Sequence, residues 1–143
     1  MSYQLNAYFN STSGVDTFNV THDVKRALRD AGSQDGLLTV YIPSSTAGVV
    51  VLENDNDIKE AFKQFIVSQV EESSAARPVR KSGSGNNEYH MRAALLNRSV
   101  VIPIKDGKLL LGPWQEVIVY DFDSKVGRTE VQIHVLGEGA AKK

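Results

Sequence analysis

Residues 114–136, WQEVIVYDFDSKVGRTEVQIHVL, decide the fold class. They hold two extended runs, Trp114 to Phe122 and Arg128 to Leu136, on either side of Asp123 to Gly127. In the second run Thr129, Val131, Ile133 and Val135 alternate with Glu130, Gln132 and His134. That is the period of a strand with one buried face and one wet or subunit-facing one. The segment predicts an antiparallel pair joined across residues 123–127. Just upstream, Val100 to Ile104 and Lys108 to Gly112 flank Lys105-Asp106-Gly107, and an Asp-Gly pair tolerates the positive φ of a tight hairpin turn. The C-terminal half therefore reads as a run of antiparallel strands.

The N-terminal half supplies helices. Tyr3, Leu5, Ala7 and Phe9 alternate with Gln4, Asn6 and Tyr8 as in an edge or face strand, and Asp16 to Val20 extends a second, shorter one. Thr21 has the chemistry of a helix N-cap, Val24, Ala27, Leu28 and Ala31 follow at helical spacing, and Gly32 suits the left-handed residue beyond the end. A helix over 21–31 follows. Gly36 to Pro43, GLLTVYIP, predicts a buried strand stopped by its proline, and Val49 to Leu52 resumes an extended run that delivers Glu53 and Asn54. Asp55 or Asn56 then caps a second helix, with Ile58, Phe62, Phe65, Ile66 and Val70 on one face. His90 to Leu96 predicts one or two helical turns. Residues 71–88, rich in Ser, Gly and Ala, predict a mobile loop, and 139–143 a frayed tail. The expected architecture is one α+β domain over 1–143, with antiparallel sheets in a sandwich-like arrangement and two main helices.

Sixteen Lys and Arg against 17 Asp and Glu leave no bulk field for nucleic acid or an anionic membrane. The absence of cysteine excludes disulfides, thiolate nucleophiles, cysteine zinc sites and iron–sulfur clusters. The apolar runs are too short to span a bilayer, and the N-terminus lacks the charge and apolar pattern of a signal peptide, so a cytoplasmic location is expected. His22, His90 and His134 lie far apart, with no His-Glu-x-x-His pattern. Ser44 and Ser45 lack a Gly-x-Ser-x-Gly elbow, and the glycines at 83 and 85 lack the Gly-Lys-Ser/Thr of a phosphate loop. Arg77, Arg80 and Lys81 make the 71–88 loop locally positive, suited either to closing over an anion or to staying solvated.

Four groups of residues together resemble a known family. They are Ser45-Thr46-Ala47-Gly48 followed by Glu53-Asn54; His90-Met91-Arg92-Ala93-Ala94-Leu95-Leu96; Ile102-Pro103-Ile104 with Gly107-Lys108 and Gly112-Pro113-Trp114-Gln115; and Gly127-Arg128 with Gly137-Glu138. In order and spacing this set, running from Gly14 to Glu138, is similar to the YjbQ family of small proteins of the secondary thiamine-phosphate synthase type. The resemblance implies an α+β homotrimer with sites near subunit boundaries. It also implies a reaction that joins a hydroxymethylpyrimidine diphosphate to a thiazole phosphate with loss of diphosphate. Such a reaction requires neutralising diphosphate charge and holding two rings in line.

On that resemblance His90 and Glu53 are the catalytic candidates. Ser44, Ser45, Thr46, Gly48, Asn54, Arg92, Trp114, Gln115 and Arg128 are substrate-binding candidates, with Trp114 offering a ring to stack on. Glu53 and Asp121, together with Asn56, are candidate ligands for Mg²⁺. The implied ligand is a small phosphorylated or anionic metabolite. The chain departs from the family pattern where Ser44 stands for a first histidine, Leu52 for an asparagine before the glutamate, and Asp121-Phe122-Asp123 for Glu-His-Arg. Those changes leave open an alternative, a non-catalytic trimeric scaffold that binds an anionic metabolite or a protein partner.

Overall fold

Strand β1 (Ser2–Ser11) keeps the alternation read from its sequence, burying Ala7 and half-burying Tyr3, Leu5 and Phe9. A computed structural model describes residues 2–12, 14–71, 87–123 and 126–139. The remaining elements are β2 (Asp16–Asn19), α1 (Thr21–Ala31), β3 (Ser33–Tyr41), β4 (Ala47–Glu53), α2 (Asn56–Glu71), α3 (Asn87–Leu95), β5 (Ser99–Lys105), β6 (Lys108–Leu109), β7 (Gln115–Asp121) and β8 (Gly127–Gly139). Most of the expected 71–88 loop, with Arg77, Arg80 and Lys81, and the tail beyond residue 139 lie outside the described residues.

The strands form two antiparallel sheets. Sheet A has the order β1-β8-β3-β5-β6, and sheet B the order β2-β7-β4. The pairing expected between the two runs of 114–136 is therefore wrong: β7 and β8 lie in different sheets. The reason is visible in their burial. Val117, Ile118, Val119 and Tyr120 are all buried, so β7 is covered on both faces, whereas β8 buries only alternate residues. Val117, Val119 and Val49 face a core shared with α1 and with Leu38, Val40, Ile102, Val131 and Ile133 of sheet A. Ile118, Tyr120 and Phe122 face a second cluster with Ile66 of α2 and Ala93 and Leu96 of α3. Sheet B is thus the middle layer, with sheet A and α1 on one side and α2 and α3 on the other.

Local chemistry explains the connections. The β5–β6 hairpin turns at Asp106 (φ 52°) and Gly107 (φ 76°), as the Asp-Gly pair predicts, although β6 is shorter than expected. Gly32 closes α1 at φ 67°, its N–H donating to the Leu28 carbonyl. Thr21 is the first residue inside the helix rather than its cap. Its Oγ1 accepts from the Val117 N–H at 2.8 Å, which ties the helix start to β7, while Asn19 Oδ1 accepts from the Thr21 N–H at 3.0 Å. Asp55 caps α2 as read, accepting from the N–H groups of Asp57 and Ile58.

Tyr120 donates its hydroxyl to the Lys59 carbonyl at 2.8 Å. Burial, reinforced by the Glu60 carboxylate, pushes its phenol up to about 12. The folded state holds that proton more tightly than the unfolded chain does. The associated stability is complete below the ordinary value of 10.0 and is lost as pH rises from there toward about 12. Denaturant midpoints taken at about pH 9 and about pH 11.5 should fall less for Tyr120→Phe than for the parent.

Candidate functional site

The turn between β3 and β4 carries Ser44, Ser45 and Thr46, and a buried carboxylate holds it in place. Asp121, 5% exposed at the end of β7, accepts from Thr46 Oγ1 (3.3 Å) and the Asp123 N–H (3.0 Å) on Oδ1, and from Thr129 Oγ1 of β8 on Oδ2. Since Thr46 gives its proton to Asp121, Ser44 Oγ donates to Thr46 Oγ1 at 3.1 Å and accepts from the Thr46 N–H at 3.1 Å. The Phe122 N–H donates to the Thr46 carbonyl at 2.9 Å. One carboxylate therefore joins sheet B, sheet A and the turn. Ser44 and Thr46 have their hydroxyls engaged inside the turn, and Ser45 is the one exposed to solvent.

Helix α3 runs alongside. The Val49 N–H donates to the Asn97 carbonyl at 2.8 Å, and a Cβ built on Gly48 would lie 2.6 Å from Leu96 Cβ. Gly48, expected to bind substrate, is a packing residue that lets α3 approach β4. Gly48→Ala should destabilise the protein by about 1–3 kcal/mol, measured by chemical denaturation, because neither the helix nor the paired strand β4 can retreat freely. The close approach leaves a cleft of about 390 Å³ lined by Ser45, Ala47, His90, Ala93, Ala94, Leu96 and Arg98. His90 projects from α3, exposed. Arg98 Nη1 donates to the Ile42 carbonyl at 3.0 Å, and its guanidinium lies 6.0 Å from the centre of the Tyr41 ring.

Arg98 is the residue that sequence reading missed. Its family-matched neighbour Arg92 is 6% exposed, turns under α2 to donate to the Val67 carbonyl at 3.4 Å, and faces Glu88 at 3.6 Å. Arg92 therefore packs α3 against α2, with its Nη2 engaged by Val67 and Glu88. Arg128 likewise lies elsewhere, over the Tyr8 ring at 4.7 Å on the outer side of sheet A. The signal for Arg98 was its place directly before β5, where a long cation reaches back over the adjacent β3 end.

The other candidates lie at the opposite end of sheet B. Glu53 pairs with Gln115 and Ala47 with Asp121 along the same two strands. Six residues of strand set these ends about 20 Å apart. At the far end, the Asn54 N–H donates to the Trp114 carbonyl, Trp114 is 70% exposed, and Gln115 Oε1 accepts from the Gly112 N–H at 2.7 Å. Gln115 thus closes its own turn. Glu53 and Asp121 of one chain cannot share a Mg²⁺ at that separation, and the Asp121 oxygens already accept three donors. Glu53, exposed, and Asn56 are the members of the expected donor set with free oxygens, and no group of three or more His, Asp or Glu able to hold a metal gathers among the described residues.

Comparison with known proteins places this geometry in context. A family model described as UPF0047 protein YjbQ-like matches residues 6–138. A UPF0047 protein of Archaeoglobus fulgidus is 33% identical over 109 residues, covering 76% of this chain and 82% of its own. A UPF0047 protein of Synechocystis is 31% identical over 131 residues, covering 90% and 88%. Among solved structures, a YbjQ-like protein of unknown function from Sulfolobus solfataricus superposes with a TM-score of 0.85 at 22% identity, over 96% of this chain and 99% of that one. A hypothetical protein from Aeropyrum pernix gives 0.83 at 27% identity, over 95% and 99%. No helix among the described residues is long and apolar enough to cross a membrane.

Proposed function

Since the chain belongs to the YjbQ-like UPF0047 family, we propose that it is a transferase of the thiamine-phosphate synthase type, acting as a homotrimer whose site is completed where two copies meet. The observation that carries this reading is the division of the motif residues into two groups about 20 Å apart on one chain, at opposite ends of β4 and β7. A second copy is what brings the His90 end of one chain to the Glu53 and Trp114 end of another. The outer side of sheet A supports assembly, since exposed Leu37 sits directly beside exposed Leu136 and Val101 lies on the next strand.

In this reading the thiazole nitrogen forms a bond to the pyrimidine methylene as the carbon–oxygen bond to diphosphate breaks, and diphosphate leaves with the electron pair. Arg98 and the Ser45 hydroxyl bind diphosphate oxygens. His90 donates a hydrogen bond or a proton to the departing oxygen. Asp121 acts through the turn, holding Ser45 against the cleft. Mg²⁺, when bound, neutralises diphosphate charge, and Glu53 with Asn56 is the donor set left to hold it.

The test is formation of thiamine phosphate from the pyrimidine diphosphate and the thiazole phosphate with Mg²⁺ by the purified protein. Product that requires His90 supports the reading. Absence of product from folded protein overturns it and favours the scaffold. The observation behind that second reading is the Ser44 hydroxyl, engaged with Thr46 rather than presented to a ligand, at a position where the sequence resemblance implies a histidine.

A further inference from the structure

A second cleft, of about 580 Å³, opens at the far end of α1, remote from His90. Its walls come from the last turns of α1, the start of β3, the β5–β6 hairpin and the turn at 111–115. Lys25, Arg29 and Lys108 line it, and no acidic residue does. Arg29 and Lys108 form no ion pair with any described residue, while Lys25 shares its field with Glu116. The hairpin fixes Lys108, because the positive φ of Asp106 and Gly107 and the Gly107 N–H donating to the Gln34 carbonyl at 2.8 Å set the turn against β3. The end of α1 contributes roughly half a negative charge through its last carbonyls, which three cations outweigh.

The combination of unpaired cations and apolar side chains in one cleft points to a ligand. Leu28, Leu109 and Leu111 add an apolar wall, so the cleft offers both halves of a recognition site for an amphiphilic anion.

We propose that this cleft is a binding site for a small phosphorylated organic molecule, its phosphate held by Arg29 and Lys108 and its apolar body resting on the three leucines. The site is separate from the His90 cleft, although Gln115, a substrate-binding candidate of the transferase reading, lines it, and phenyl phosphate binding is read without turnover. It accounts for the unpaired cations and the apolar wall together.

Trp114, the sole tryptophan, neighbours the lining residues Pro113 and Gln115 and provides the readout. The protein is titrated with phenyl phosphate and with inorganic phosphate at low salt, following Trp114 fluorescence and calorimetric heat. Phenyl phosphate should bind several-fold more tightly than inorganic phosphate. The double variant Arg29→Glu/Lys108→Glu should weaken phenyl phosphate by about tenfold or more, since reversing two exposed charges doubles the loss of each contact. His90→Ala should leave binding unchanged. Parent-like binding by the charge-reversal variant, equal affinity for the two probes, or loss of binding on His90→Ala would each overturn the assignment.

Discussion

Replacing Asp121 with alanine is expected to remove about 3–5 kcal/mol of stability, much of what a domain of this size has in hand. Three donors lose their acceptor at once: the Thr46 hydroxyl, the Thr129 hydroxyl and the Asp123 N–H. Thr46, Thr129 and Asp121 are each under 10% exposed, so water cannot simply take over. An orphaned buried donor costs about 1–3 kcal/mol, and the sum is reduced because a hydroxyl can rotate toward another acceptor. Asp121→Asn provides the control. Its carbonyl can still accept from Thr46 and Asp123, and Thr129 can turn to accept from the amide, so a loss of about 1–2 kcal/mol is expected. Urea denaturation of the two variants distinguishes the cases. An alanine variant within about 1 kcal/mol of the parent would show that the carboxylate does not anchor the turn.

The contrast between β7 and β8 shows what was legible in the sequence. Alternation in β8 and the continuous apolar run Val117 to Tyr120 were both on the page, and they call for different layers. Joining them as a hairpin weighed sequence proximity above that difference in pattern. Two helix ends came out well because capping is local: Gly32 needs only its own backbone, and Asp55 only the next N–H groups, whereas the hydroxyl of Thr21 is taken by the distant Val117 N–H. The functional residues were harder. Arg92 and Arg98 are both cations near a motif histidine, and nothing local says that one folds under α2 while the other reaches over β3. The Asp121 anchor depends on Thr46 and Thr129, 75 and 8 residues away. Which acid serves a metal and which an internal hydroxyl is decided by that long-range register.

Under the proposed transferase reading, replacing His90 with alanine should lower thiamine-phosphate formation by about 10²–10⁴-fold, the range in which one positioned proton donor or acceptor contributes. The same change should leave stability within about 0.5 kcal/mol, because the imidazole is exposed and forms no hydrogen bond or ion pair to another described residue. This combination of large kinetic and small thermodynamic effect separates His90 from Arg98, whose donation to the Ile42 carbonyl makes it structural as well. Ser44→His carries the comparison further. Under the transferase reading, introducing the histidine that the sequence resemblance implies here should raise turnover, despite the loss of about 1 kcal/mol from the Ser44–Thr46 hydrogen bonds. A scaffold would stay silent in both variants. If turnover survives His90→Ala unchanged, the cleft beside α3 is not where the reaction occurs. The exposed Glu53 and Trp114 end of sheet B then becomes the place to look.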